Sequence, residues 1–354
     1  MTFQVTPMFP GDLYDSTDRM AGAGAADWRQ ILELGWQGVL VGEDHGGVGA
    51  TLAEFSAIAE AAGRHALALP LIARCVVAPM LLAAAGASDT ARTLLAQLSA
   101  GEASVCPVLG SDVQATSDGA ASRGAGRVRL QGVLKCADLS ADASHLLFNT
   151  PTQLVLIETS ALPEARYFKG LDGRRTADFT LDGITIDAGQ VLLQGDAVAA
   201  AVKAASDTGA VMTSVQTVGA LGAMVEQTIE YLSTRSQFGV QLSTFQALRH
   251  RLVEMYVAYE SARGLVKDVT EALSENPTAN PRDAALTKLY LATVGRTVAE
   301  SAIQLHGGMG MTTEMPAARL AMHTLMCNLQ YGDRAHYLDA LSAQMSHDAA
   351  ALAA

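Results

Sequence analysis

Two short stretches of this chain hold the residue types that can grip a phosphorylated ligand. One is Arg235-Ser236-Gln237-Phe238-Gly239, followed by Leu242 and then Phe245-Gln246. The other is Gln304-Leu305-His306-Gly307-Gly308-Met309-Gly310-Met311-Thr312. An arginine fork and the exposed amides of a glycine-rich turn together suit a pyrophosphate. Phenylalanine and glutamine beside them suit a nucleotide base, one by stacking and the other by hydrogen bonding. Each stretch also has a plain reading. Arg-x-x-Phe-Gly makes a turn between helices with glycine at the C′ position, and Gly-Gly-x-Gly makes a flexible helix–helix loop.

The elements that must position these stretches fall into three parts, 1–103, 104–196 and 197–354. The first reads as helical. Apolar residues recur at three-to-four spacing over Ala26–Leu34 and Thr51–Ala62, with Gly46-Gly47-Val48-Gly49 as a glycine-rich turn between them. Pro70 and Pro79 bracket a short helix, and another covers Thr90–Leu98. The second part is strand-like over Arg127–Leu134, His145–Asn149, Gln153–Glu158, Ala165–Phe168, Asp178–Ile186 and Gln190–Gln194. Short strands at this density point to a small barrel or sandwich, with Ser117–Gly126 as an exposed loop. The third part is helical again. From Phe245 through Leu248, Leu252, Met255, Tyr259, Ala262, Val266 and Val269 to Leu273 the apolar residues form a heptad stripe, as in a long bundle helix. A similar stripe runs from Val211 to Leu232 on the preceding helix. A third helix opens at Asn280-Pro281, with Asn as N-cap, and a fourth runs from Pro316 to Gln330. A last helix follows to the C-terminus.

Composition removes several function classes. The chain has 354 residues, 49% of them hydrophobic and 17% charged, which is ample for packed cores. Lys plus Arg is 24 against 36 for Asp plus Glu, and a net charge of −12 argues against a nucleic-acid binder. No two of Cys75, Cys106, Cys136 and Cys327 have C-x-x-C spacing, so neither a zinc site nor a redox dithiol is indicated. They read as reduced thiols in a cytoplasmic protein. Ala66–Ala85, the longest apolar stretch, is broken by Pro70, Arg74 and Pro79 and does not read as a membrane span. The N-terminus shows no signal-peptide pattern. Aromatic residues are scarce at 5%, and both tryptophans, Trp28 and Trp36, lie near the N-terminus.

Together the two stretches, their separation and the three-part order resemble the acyl-CoA dehydrogenase family of flavoproteins. Glu33-Leu34-Gly35-Trp36-Gln37-Gly38-Val39 and Glu43-Asp44-His45-Gly46-Gly47-Val48-Gly49 resemble that family's first domain. Cys106-Pro107-Val108-Leu109-Gly110-Ser111-Asp112 resembles a weakened form of its Glu-Pro-Gly-x-Gly-Ser-Asp stretch. The likeness runs over roughly residues 28–345. It implies an α+β fold of N-terminal helices, a central β-barrel and a C-terminal four-helix bundle. It implies FAD as cofactor, an acyl-CoA thioester as substrate and an electron-transfer flavoprotein as acceptor. It also implies an FAD shared between subunits. On this reading Arg235, Phe238, Gln246, Gln304, Gly307 and Gly308 serve the pyrophosphate and adenosine of a neighbour's FAD. Ser111 is a candidate beside the thioester or flavin, with simple turn chemistry as its alternative.

The departures from the family pattern are local. The usual catalytic glutamate falls on Tyr331, just before Gly332, and the alternative glutamate position falls on Gly209. A phenol with a pKa near ~10 is a poor base toward a carbon acid. Cys136 stands where the family has a flavin-packing tryptophan, and Asp138 where it has a hydroxyl residue. The half-site a subunit builds for its own flavin is thus degraded, whereas the half-site offered to a neighbour is intact. The expectation is a subunit of an α2β2 acyl-CoA dehydrogenase whose sister chain carries the glutamate and the isoalloxazine pocket. A steroid-type CoA ester is the expected substrate class. Two alternatives stand beside it. One is a homo-oligomer with a relocated base at Asp333, Asp207 or His336, or with monooxygenase activity. The other is a non-enzymatic scaffold. Asp333 has a plainer role as N-cap of the last helix, and His306 as a loop-packing residue. The methionines from Met309 to Met326 read as core or interface filling.

Overall fold

The computed structural model describes residues 3–24, 26–117, 126–276, 281–312 and 314–353. The Asn280 N-cap and residues 118–125 of the expected exposed loop lie outside them. The chain condenses into two units, one of residues 1–26, 52–67 and 210–354, the other of residues 27–51 and 68–209.

In the second unit three helices, α2 (Trp28–Glu33), α4 (Ala78–Ala84) and α5 (Asp89–Ser99), accompany the β region. Helix α2 opens on a capping box. Asp27 accepts the Gln30 backbone N–H at 3.0 Å, and the Gln30 side chain accepts the Asp27 N–H at 3.2 Å. Pro79 does not end a helix as the bracket reading expected. It lies within a helical stretch that runs on from Leu71 into α4 without a break. Just before it, Ala73–Val77 forms a π-helical turn that carries the fully buried Arg74.

Eight strands make two four-stranded sheets. They are β1 (Val105–Val108), β2 (Gln114–Ser117), β3 (Arg127–Asp138), β4 (His145–Asn149), β5 (Gln153–Glu158), β6 (Arg166–Lys169), β7 (Arg175–Asp187) and β8 (Val191–Gln194). The orders are β1-β4-β5-β8 and β2-β3-β7-β6. Only the β1–β4 pairing is parallel among the described ladders. The inward residues of both sheets, such as Val128, Leu130, Leu146, Phe148, Phe179 and Leu181, close one core. The alternating burial of Val128 and Leu130 against exposed Arg127 and Arg129 is what a half-buried strand requires. Ladder β3–β7 slips between Leu134 and Ala137, and that bulge holds Lys135 and Cys136 out of register.

The first unit holds α1 (Asp12–Gly22), α3 (Leu52–Arg64), most of α6 (Asp196–Thr234), then α7 (Gln246–Glu275), α8 (Pro281–His306), α9 (Pro316–Leu329) and α10 (Arg334–Ala353). A two-stranded hairpin, β9 (Ser236–Gln237) and β10 (Val240–Gln241), joins α6 to α7. The periodicity expected from Phe245 forms the buried face of α7, with Met255, Tyr259, Ala262, Val266 and Leu273 inside. Helices α3 and α6 touch backbone to backbone. A Cβ at Gly219 would lie 2.1 Å from the Glu60 carbonyl oxygen, and one at Gly63 would lie 2.0 Å from that of Gln216. Helix α6 is long and apolar enough to cross a membrane, but its most apolar window is buried throughout.

Candidate functional site

The Arg235 and Gln304 stretches sit where helices end. Helix α6 stops at Thr234, and Arg235 closes its last turn with an N–H bond to the Tyr231 carbonyl at 2.9 Å. Its own carbonyl receives the Leu242 N–H at 2.9 Å, which closes the small hairpin at its base. Phe238 and Gly239 form the two-residue tip with φ of +55° and +80°. Two positive φ values match the type I′ turn that a tight hairpin demands. Glycine meets that demand freely and phenylalanine at some strain, so the ring is presented by the backbone and not by packing. Phe238 is 91% exposed, touching Phe245 edge-on at 6.3 Å between centroids. Arg235 and Gln246 are exposed as well, and no carboxylate pairs with Arg235 among the described residues.

The second stretch follows α8. Gln304 lies exposed in its last turn, and Gly307–Met311 winds as a 3₁₀ turn. Gly307 takes φ +63°, the left-handed value that ends a helix. Gly310 is needed for a different reason, since a Cβ there would lie 2.4 Å from the Ile303 carbonyl oxygen. Around Gly307 and Gly308 a Cβ would meet nothing within 4 Å, so the outer side of the turn is open at both residues.

One contact brings the stretches to the same end of the bundle. The Tyr231 hydroxyl donates to the His306 carbonyl at 3.2 Å, and the two rings stack at 4.5 Å with 29° between their planes. Tyr231 stands one helical turn before Arg235, and His306 directly before Gly307. His306 thus packs the loop as expected, whereas Tyr231 was not singled out by sequence. Its signal was a ring one turn before the arginine.

Tyr331 adopts φ +57°, and its carbonyl accepts the Tyr337 hydroxyl at 2.5 Å. Its side chain packs on the cluster of Ala210, Ala285, Tyr337 and Leu341. Gly332 is forced by φ +107° and by the His336 ring, 2.6 Å from where a Cβ would stand. Asp333 accepts the His336 N–H at 2.9 Å, which caps α10. Asp207 is bound to Lys203 at 2.6 Å. No carboxylate among these stands free at the Tyr331 position.

In the β unit, Ser111 donates to the Asn149 carbonyl at 2.5 Å and the Gly110 N–H to the Asn149 side chain at 2.9 Å, which ties this turn to the end of β4. Cys136 is exposed in the β3 bulge with φ +57°, its N–H held by Asp178 at 2.8 Å. The other three cysteines are buried, and none forms a disulfide among the described residues. Asp138 turns its carboxylate to the Ser140 N–H and hydroxyl and to Arg174, so its charge is compensated locally. Beneath this loop Arg74 donates to the carbonyls of Asp138, Ala141 and Asp142 and to the Ser104 hydroxyl. Trp28 lies against the same guanidinium, 5.1 Å from its ring centroid.

Residues 12–102 match the acyl-CoA dehydrogenase N-terminal domain, and residues 199–345 match the acyl-CoA dehydrogenase C-terminal domain. The chain belongs to the acyl-CoA dehydrogenase family. The family consists of flavoprotein oxidoreductases that act on acyl-CoA, and its members bind FAD. Among relatives, acyl-CoA dehydrogenase IpdE2 of Mycobacterium tuberculosis is 28% identical over 289 residues, 81% of this chain and 76% of that protein. The fold recurs in butyryl-CoA dehydrogenase from Megasphaera elsdenii, with a TM-score of 0.78 at 20% identity over 98% of this chain and all of that one. It recurs in the ChsE4-ChsE5 complex from Mycobacterium tuberculosis, with a TM-score of 0.80 at 20% identity over 98% and 99% of the two chains. A Tcur3481-Tcur3483 steroid ACAD variant gives 0.78 at 21% identity over 96% of each chain. The expected order of N-terminal helices, central sheets and C-terminal helices is the family fold.

Proposed function

We propose that this chain is one subunit of an FAD-dependent acyl-CoA dehydrogenase and lends its pyrophosphate and adenosine arm to a sister subunit in an α2β2 assembly. The observation that carries the reading is an asymmetry within the chain. Arg235, Phe238, Gln246, Gln304, Gly307 and Gly308 are all exposed at one end of the bundle. At the two glutamate positions stand Tyr331 and Gly209. The donor set fits FAD: an arginine without a carboxylate partner among the described residues, a glycine turn with open space at Gly307 and Gly308, two side-chain amides and a bare aromatic ring. When bound, FAD supplies the acceptor for the hydride leaving the acyl β-carbon.

The chain's own residues then have binding roles. Arg235 holds pyrophosphate charge, and the Gly307 and Gly308 amides donate to its oxygens. Phe238 covers an adenosine face, and Gln246 and Gln304 fix orientation. Removal of the α-proton falls to the sister subunit's carboxylate. Two solved relatives in fold are described as ChsE4-ChsE5 and Tcur3481-Tcur3483, pairs of different chains, and the second as a steroid ACAD. They support the heteromer and a steroid-type CoA ester. An electron-transfer flavoprotein as final acceptor belongs to the same proposal. The relocated-base alternative gains no support, since Asp333 caps a helix and Asp207 is paired with Lys203.

The test is co-expression with a sister acyl-CoA dehydrogenase chain that retains the glutamate. The purified pair holds FAD and oxidises acyl-CoA, and Arg235→Ala lowers its FAD content at least tenfold. Stoichiometric FAD and acyl-CoA oxidation by this chain alone defeat the proposal. An Arg235→Ala pair that keeps its FAD points instead to the scaffold reading.

A further inference from the structure

The Tyr231–His306 contact joins two segments that the proposed function uses but that share no sequence. His306 is 2% exposed, yet only one ring nitrogen has a partner. Its Nδ1 lies 2.8 Å from the Ala302 carbonyl, and since a carbonyl only accepts, Nδ1 carries the proton. Nε2 is buried without any hydrogen-bond partner. The ring stacks on Tyr231, and the Tyr231 hydroxyl reaches past it to the His306 carbonyl at 3.2 Å. That carbonyl belongs to the peptide that opens the Gly307 turn. Close beneath, a Cβ at Gly310 would lie 3.0 Å from the His306 Cβ, so the loop folds tightly back on this residue.

We propose that Tyr231 and His306 form a proton-sensitive coupling that holds the Gly307–Met311 loop in register with the Arg235 hairpin. Both are positioning residues; neither is assigned a contact with cofactor or substrate. The neutral imidazole fits the site, with one N–H donated and one nitrogen buried without a hydrogen-bond partner among the described residues. A second proton places an N–H at Nε2 where no acceptor stands. A buried, unsatisfied charged donor is not tolerated, so the ring leaves its seat on Tyr231 and the loop loosens. Burial already biases the ring this way, holding its pKa below the ordinary histidine value, with the Ala302 bond opposing in part. Tyr231, on α6, is the titratable group in ring contact with it, and no charged side chain of α6, α8 or α9 contributes to its titration.

The inference rests on the proposed function only for what the loop is for, so its test has two readouts. Hydrogen exchange of the Gly307–Thr312 amides, referenced to core amides of α8, is followed from pH 8 to pH 5 in the full chain. The expected result is a fall in loop protection of tenfold or more as His306 titrates, with the reference amides unchanged. His306→Phe, which keeps the stack and cannot titrate, gives a flat profile. Tyr231→Phe, which keeps the ring and loses the hydroxyl bond, raises loop exchange several-fold at all pH values. Loop protection that ignores both pH and Tyr231→Phe overturns the coupling, even if His306→Phe fails to fold. FAD retention by the co-purified pair is read over the same range. Loop exchange that responds while FAD retention does not supports the coupling and overturns the cofactor reading.

Discussion

Lys288 offers the most quantitative check on this structure. It stands on α8 with its ammonium fully enclosed, donating to the Thr213 hydroxyl at 3.1 Å and to the Cys327 carbonyl at 2.5 Å. No carboxylate lies within ion-pair distance among the described residues. Burial pushes its pKa down from 10.5 to about 8. Between those values the unfolded chain binds a proton that the folded chain does not, so stability rises with pH in that window. At roughly 1.4 kcal/mol for each pKa unit the burial penalty is about 3 kcal/mol at neutral pH, and about 1 kcal/mol of it is relieved by pH 9. Two buried thiols pull the other way. Burial raises Cys75 and pushes Cys106 up to about 12, so stability falls as their unfolded counterparts ionise near pH 9. The informative quantity is therefore the difference between the wild-type chain and Lys288→Met, in which the thiol contribution cancels. Methionine keeps the length of the stem and removes the charge. Urea unfolding at pH 7.0, 8.0 and 9.0 should show wild type gaining about 1 kcal/mol on the variant. A difference that stays constant within about 0.3 kcal/mol over those pH values refutes the lowered pKa, and with it the buried, carboxylate-free ammonium in the bundle core.

Two other substitutions test the packing that positions the site. Arg74→Met leaves three carbonyls without their buried donor and should cost about 3–5 kcal/mol in urea unfolding; Arg74→Lys should recover little, since one ammonium cannot span the fork. A loss below about 1 kcal/mol would contradict the buried network. Gly219→Ala drives a methyl into the Glu60 carbonyl of α3 and should lower stability by about 2–3 kcal/mol, read as a lower thermal midpoint. Gly264→Ala, in open space on α7, is the matched control and should be neutral or stabilising.

The fold was legible where periodicity is local. Strands His145–Asn149 and Gln153–Glu158 were readable as short apolar runs bounded by turn residues, buried at consecutive positions, and the stripe from Phe245 because it puts one face of α7 inside and leaves the other wet. The helix Asp12–Gly22 and the short strands Val105–Val108 and Gln114–Ser117 were missed. The first is mostly polar, with a narrow buried edge of Tyr14, Thr17 and Ala21. The second contains Pro107, which speaks against a strand until its neighbour is known to be the parallel β4. The π-helical turn at Ala73–Val77 was equally invisible, since what holds it is a guanidinium bonded to residues 104 and 138–142.

The candidate site divides along the same line. The two stretches proposed to hold the cofactor were legible as motifs because each is a continuous string, Arg235 to Gln246 and Gln304 to Gly308. The Tyr231–His306 bond that aligns them spans 75 positions and leaves no local trace. The Tyr331 position was legible only as a departure, and the structure changes what that departure means. A glutamate replaced by tyrosine reads on paper as a single lost carboxylate. Here the side chain packs on the cluster of Ala210, Ala285, Tyr337 and Leu341, and the backbone takes φ +57° with its carbonyl bonded to the Tyr337 hydroxyl. A carboxylate here would sit against these apolar side chains, whose burial raises a carboxyl pKa, and Asp333 already caps the next helix. Restoring the glutamate alone would not rebuild a base, because its surroundings are arranged for a ring. The contrast between the exposed Arg235 and Gln304 stretches and the packed Tyr331 position is thus built into the neighbouring residues as well, which is what the proposed sister-subunit reading requires.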